Sequence, residues 1–298
     1  IPAFERAARH AKEASDPNAE SANYRCLSWA YRHIGKRERA MENASRAVQV
    51  LEVAILVRFP EMSRGGERGH RAMAAWERGY LWALVELGWS HVALQKWDGA
   101  REAFQKGLQV SRRLKLDYIM GQAHQGLGRV AEGQQDFPTA VSHLEEALRL
   151  NHEPGFVAST QGLLGRVYRA MGKRPEAEAA LRKAVAGIED LRSLLGSQEL
   201  RESFFEDKTE AYELLVLVLL GQRKVAEAFD VSERARARAF LDLLGNRVTF
   251  TRGRSEVLIA EERSLRERIS ALRAMPKDAP ALQKELALAR EAYQAFLQ

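Results

Sequence analysis

A short pattern occurs twice between residues 121 and 192 and constrains the fold more than any other feature of the chain. Leu127-Gly128 is followed by Ala140, Leu144 and Ala147; Leu164-Gly165 is followed by Tyr168, Gly172, Ala177, Leu181 and Ala184. In each copy the glycine lies twelve residues before one alanine and nineteen before another. Two antiparallel helices joined by a short turn approach closely only where side chains are small, so a fixed spacing of small residues marks a helix-turn-helix unit stacked on copies of itself. The pattern predicts that Gly128 and Gly165 face Ala140 and Ala177, that Ala147 and Ala184 admit the next unit, and that Leu127, Leu144, Leu164 and Leu181 fill the space between.

Other copies can be placed in register. The first full copy covers about 21–54, with Tyr24, Leu27, Ser28, Tyr31, Gly35, Ala40, Ala44 and Ala47. The second, about 81–114, has Leu84, Leu87, Gly88, Ala100 and Phe104, with His91 and Gly107 as departures. The third starts at 121, closed by Pro154, and the fourth at 158, so the start-to-start spacings are 60, 40 and 37. A fifth, weaker copy at about 209–242 keeps Tyr212, Leu215, Leu219, Ala228 and Ala235. These Leu-Gly, Tyr, Ala, Phe and Pro positions resemble the tetratricopeptide repeat (TPR). The resemblance implies an all-α TPR superhelical solenoid of about five repeats.

The segments outside the pattern set the organisation. Residues 1–14 read as one amphipathic helix, a partial N-terminal repeat (1–20) whose partner helix lies upstream; Ser15-Asp16-Pro17-Asn18 breaks it and Ser21 is the expected N-cap. Repeats 1–4 occupy 21–192, with a Gly-rich insertion at 60–70 whose Ser63–Gly69 stretch reads as an inter-repeat loop. No strand precedes it, so it is not a phosphate-binding loop. A linker and the degenerate fifth repeat fill 193–244, and 245–298 repeats apolar residues at helical spacing as a long coiled-coil-like hairpin, which favours self-association.

Composition narrows the function. Of the 298 residues 46% are hydrophobic and 29% charged, enough for a core. The net charge of +6, from 46 basic and 40 acidic residues, is too mild to signal nucleic-acid binding. The single Cys26 excludes a disulfide framework and fits a reducing, cytoplasmic compartment. No apolar run reaches the roughly 18 residues of a membrane span, so no membrane is expected as partner. Cys26 has no histidine at a nucleophile–base spacing and reads as a packing residue, and the seven histidines form no metal-ligand set. No catalytic residue and no cofactor is expected.

One segment is more distinctive. Glu233-Arg234-Ala235-Arg236-Ala237-Arg238-Ala239-Phe240-Leu241-Asp242-Leu243-Leu244, followed by a charged hairpin, resembles the junction of TPR–CHAT proteins, which joins the repeats to a caspase-like CHAT protease domain. The resemblance implies that a cysteine protease domain follows Gln298, that its catalytic His and Cys lie there, and that this chain is its regulatory or substrate-recruiting arm. A free-standing scaffold or peptide-sensing receptor is the alternative. Intramolecular ion pairs, or a surface facing a downstream domain, explain Arg234, Arg236 and Arg238 better than a nucleic-acid patch does.

In a TPR the first helices line the concave groove, with positions 2, 5, 9 and 12 inward. Position 9 reads Trp29, Trp89, Arg129 and Arg166; position 5 includes Arg25 and Gln125; position 12 includes Arg32 and Arg169; position 2 includes Trp82 and Gln122. This groove, aromatic at its N-terminal half and basic at its C-terminal half, points to a protein or peptide ligand with apolar side chains and an acidic stretch. Tryptophans packed between helices and solvated arginines are the competing reading.

Overall fold

The described residues of the computed structural model are 1–64, 66–194 and 209–247, with the single positions 264, 285 and 288. They form α1 (Pro2–Glu13), α2 (Pro17–His33), α3 (Arg37–Arg64), α4 (Gly66–Ala93), α5 (Trp97–Leu114), α6 (Asp117–Gly133), α7 (Phe137–Leu150), α8 (Pro154–Ala170), α9 (Arg174–Leu194), α10 (Thr209–Gly221) and α11 (Val225–Arg247). The chain divides into two compact units: residues 1–189 with 210–228, and residues 190–209 with 229–298. The second unit's described part is the end of α9, Thr209, the larger part of α11 from Phe229 and the three single positions; on α11 Arg236 pairs with Glu233 at 2.8 Å. The expected hairpin at 245–298 lies outside the described residues, apart from the end of α11 and the three single positions.

In the first unit each helix packs on its neighbour in sequence from α1 to α8. The first helices of successive repeats also touch one another, α2 on α4, α4 on α6 and α6 on α8, which makes them a continuous row. The turn that ends each first helix is the same five times over. The N–H of Lys36, Lys96, Asp136, Lys173 and Lys224 donates to the carbonyl of Tyr31, His91, Ala131, Tyr168 and Leu219, at 2.8–3.0 Å. The residue before each donor has a positive φ: Gly35, Gln95, Gln135, Gly172 and Arg223. Only two of these are glycine, so a left-handed residue is imposed on two glutamines and an arginine to close the turn. The fifth repeat, weakest in sequence, therefore shares its turn geometry with the other four.

The small residues sit at close contacts, and the nearest atoms to Gly128 and Gly165 belong to the leucines of the second helix. A Cβ on Gly128 would lie 2.7 Å from Leu144 Cγ and 3.3 Å from the carbonyl oxygen of Ala140, and one on Gly165 would strike Leu181. The glycine thus makes room for a leucine, and the facing alanine lets the backbones close around it. Phe104 is wholly buried, with its ring between two glycines of different helices: a Cβ on Gly88 or on Gly126 would run into it. Trp89 meets that ring edge-on, with centroids 5.5 Å apart.

Three local expectations are corrected. The N-cap of α2 is Asp16, whose Oδ1 accepts from the N–H of Asn18 and of Ala19, with Pro17 opening the helix. Ser21 lies inside α2, buried, and its hydroxyl donates to the Ala47 carbonyl at 2.8 Å. The described residues of the Gly-rich stretch are helical: α3 runs through Arg64 and α4 begins at Gly66, whose φ of +60 a glycine adopts freely. Pro154 does not close the third repeat but begins α8, behind the N-cap Glu153.

Candidate partner-binding face

The ten expected face residues lie on the first helices α2, α4, α6 and α8, and their surroundings sort them into three groups. Some are free. Trp29 is 53% exposed and stacks its ring on His33, with centroids 4.0 Å apart. Arg169 is exposed and has no partner among the described residues. Gln122 is half-buried.

Others are packing residues. Trp82 and Trp89 are partly buried against the core around Phe104, with the Trp82 ring 6.0 Å from that of Tyr118. Gln125 is buried and donates through Nε2 to Thr160 Oγ1 at 2.8 Å, joining α6 to α8. Arg25 is half-buried, and its Nε has no hydrogen-bond partner among the described residues. Burial lowers the pKa of its guanidinium, against the pull of Cys26 and Glu86.

The third group is tied up by carboxylates. Arg32 on α2 reaches Glu86 on α4 at 3.2 Å, and Glu86 also accepts from Ser28 Oγ at 2.9 Å. Arg166 on α8 grips Glu132 on α6 through Nε at 2.5 Å and Nη2 at 2.7 Å, and reaches Glu210 on α10 through Nη1 at 2.8 Å. Arg129 lies 3.4 Å from the same Glu132, with its guanidinium 5.5 Å from the Trp97 ring centroid. Burial lowers the Arg129 pKa, and the neighbouring charge of Arg166 adds to this against Glu132 and Glu210. For Arg166 burial pulls downward too, but the bonds from Glu132 and Glu210 outweigh it and raise its pKa. The C-terminal half of the face is therefore much less positive than its arginines suggest.

Position counting places Glu132 at position 12 of the same row but does not show that it holds Arg129 and Arg166, and it gives no role to Glu86 or Glu210. It also missed Leu217 and Leu220 on α10, which are 53% and 47% exposed. Counting from residue 209, these occupy positions 9 and 12 of the fifth repeat, and Glu210 and Glu213 occupy positions 2 and 5. The register was legible; what hid these residues is that the fifth repeat has Leu215-Val216 where the third and fourth have Leu-Gly.

Behind the face, His124 and His143 place their Nδ1 atoms 3.0 Å apart between α6 and α7. Burial lowers the pKa of His124 to about 4, and the proximity of His143, Arg112 and Arg149 adds to this against Glu146. Burial lowers that of His143 as well, against Asp136. An unfolded histidine titrates near 6.5, so below that pH the unfolded chain binds the extra protons and the folded chain is destabilised. Stability should be full above pH 6.5 and decline as the pH falls towards 4, His124 alone accounting for ~2 kcal/mol by pH 5. The carboxyls of Glu52, Glu146 and Glu178 are held below the usual carboxylate range. Thermal melts from pH 7 to pH 5 check this: His124→Asn should flatten the decline, and an equally steep decline in that variant would refute the assignment.

Among the described residues, no group of three or more histidine, cysteine or acidic side chains could hold a metal ion. None of the described helices is long and apolar enough to cross a membrane. Cys26 is a free, half-buried thiol.

Residues 79–153 and 120–190 match the family model of the tetratricopeptide repeat. Among solved structures, the chain is similar to the apo form of RapI, at 16% identity and a TM-score of 0.54 over 100% of this chain and 89% of that one. A putative kinesin light chain from Podospora anserina with nearly identical TPR-like repeats gives 18% identity and a TM-score of 0.45 over 75% and 96% of the two chains. A thermophilic TPR protein from Thermus thermophilus gives 21% identity and a TM-score of 0.38 over 74% and 99%. No curated protein matches the sequence. The fold is a TPR solenoid, and the repeats at 79–190 are tetratricopeptide repeats.

Proposed function

We propose that the row of first helices is a protein- or peptide-binding face and that the chain works as an interaction scaffold. The observation that carries this is the exposure of large apolar side chains at both ends of the row, Trp29 on α2 and Leu217 with Leu220 on α10, around a polar middle neutralised from within. Exposed aromatic and aliphatic anchors of this kind are the usual centres of binding energy at interfaces. A partner that spans the row brings apolar side chains to both ends. An acidic stretch in it would meet Arg169 and Arg25, since Arg32 and Arg166 are already engaged.

The test is affinity capture from host lysate with wild type and a Trp29→Ala/Leu217→Ala/Leu220→Ala variant, read by mass spectrometry. The substituted side chains are half exposed, so the variant should keep its helical circular dichroism and lose at least tenfold of the captured partner. Equal capture by both proteins would refute the binding face.

The more specific reading is that this scaffold is the recruiting arm of a CHAT cysteine protease. Its support is the junction-like run at 233–244, which α11 carries in one unbroken helix to Arg247. A free-standing scaffold is the other reading. Coding sequence after Gln298 separates the two: a caspase-like domain with a His and a Cys supports the protease arm, and any other continuation removes it.

A further inference from the structure

A second surface lies apart from the row of first helices. A cleft of about 710 Å³ runs along α3, with the α1–α2 turn and the first turns of α2 as its other wall. Its α3 wall carries Val50, Val53, Ala54 and Val57, the i, i+3, i+4, i+7 stripe of a helix that expects a partner. The described helices leave the stripe partly open: Val50 and Ala54 are half-buried, Val53 is 54% and Val57 66% exposed, and Leu56 beside them is also exposed. Single exposed aliphatics are ordinary, but a contiguous stripe that forms the wall of a cleft is not.

The rim is basic. Arg46 and Arg58 stand at the two ends of the wall, twelve residues apart, which is about 18 Å of helix. Lys12 lines the cleft from α1, and among the described residues Glu20 is the one carboxylate that lines it. Arg46 is paired with Glu42 at 2.7 Å. Arg58 lies over the Trp76 ring, 5.9 Å from its centroid, and neither it nor Lys12 has a carboxylate partner among the described residues. The walls are mostly helical, so their backbone hydrogen bonds are used internally and offer an extended peptide no edge to pair with. A ligand that satisfies its own backbone is required.

We infer that this cleft is a docking site for an amphipathic helix of about three turns, with an apolar stripe facing α3 and acidic residues at its two ends. The apolar stripe would interleave with Val50, Val53 and Val57, and the acidic ends would meet Arg58 and the Lys12–Arg46 side. The site is independent of the proposed partner-binding face.

The experiment uses the whole chain and two fluorescent model peptides of fourteen residues. Both have leucines at i, i+3, i+7 and i+10; one has glutamates at its ends and the other lysines. Fluorescence anisotropy should show the glutamate peptide binding at least tenfold more tightly than the lysine peptide, with affinity falling as salt is raised. Val53→Glu/Val57→Glu should abolish binding, and because both side chains are exposed it should leave the melting curve in place. The Trp29→Ala/Leu217→Ala/Leu220→Ala variant should bind as wild type does, which keeps this site distinct from the other face. Absent binding, or equal binding of the two peptides, would overturn the proposal. So would a concentration-dependent dimer that Val53→Glu/Val57→Glu abolishes, because the occupant would then be a second copy.

Discussion

Arg166→Ala is expected to destabilise the stack at α6, α8 and α10 rather than merely to weaken partner binding. The side chain joins three consecutive first helices through Glu132 and Glu210. Glu132 is only 11% exposed, so without Arg166 a nearly buried carboxylate keeps just the longer contact to Arg129. Leaving one partner of a buried pair uncompensated costs about 3–5 kcal/mol, and because Glu210 is open to water we expect ~2–4 kcal/mol here. Stability in stacked repeats is a sum of repeat and neighbour terms, so the loss should concentrate in residues 117–221. Amide exchange there should accelerate, while α2 and α3 keep their protection. Arg166→Lys should recover part of the loss, since it keeps the charge but not the two-pronged grip. Glu132→Gln in the Arg166→Ala background should recover more, because it removes the orphaned charge. An Arg166→Ala protein that melts as wild type does would mean that the arginine is free to meet a ligand. Charge reversal at Arg129 and Arg166 is consequently a poor probe of the binding face, since it would add carboxylates beside Glu132.

Phe104→Ala is expected to cost ~3–5 kcal/mol, at the upper end for a core truncation. The ring is wholly buried and reaches from α5 to both α4 and α6, resting on Gly88 and Gly126. Its removal leaves a cavity where two repeats meet, in the cluster that also holds Leu127 and packs against Trp89. Gly126→Ala approaches the same contact from the opposite side. Its Cβ would collide with the ring, with an overpacking cost of ~1–3 kcal/mol. The two changes should not add. In the Phe104→Ala background the obstacle is gone, so Gly126→Ala should cost less than it does alone. Chemical denaturation of the two single variants and the double variant measures the coupling; strict additivity would show that the ring and the glycine are not in contact.

Much of the architecture was legible because helix pairing depends on short-range regularities. The Leu-Gly and alanine spacing set the register of the first four repeats, and Tyr212, Leu215 and Leu219 extended it to the fifth. Local readings failed where an adjacent residue offered a better solution. Asp16 displaced Ser21 as N-cap because it stands directly before Pro17, and the described residues on both sides of position 65 are helical where a loop was expected. For the proposed binding face, position counting names residues on successive first helices, but it does not show which of them are paired across repeats. Glu86 lies 54 residues from Arg32, and Glu132 lies 34 from Arg166. No pattern within one repeat connects them.

The sequence by itself determined the repeat period, the helix order and the side of each first helix that joins the row, because these follow from where small and large apolar residues recur. The tertiary structure decided which side chains on that row remain available. Whether an arginine is free or neutralised depends on the rotation and rise from one repeat to the next, and that stacking brings Glu132 against Arg166 while leaving Trp29, Leu217 and Leu220 uncovered.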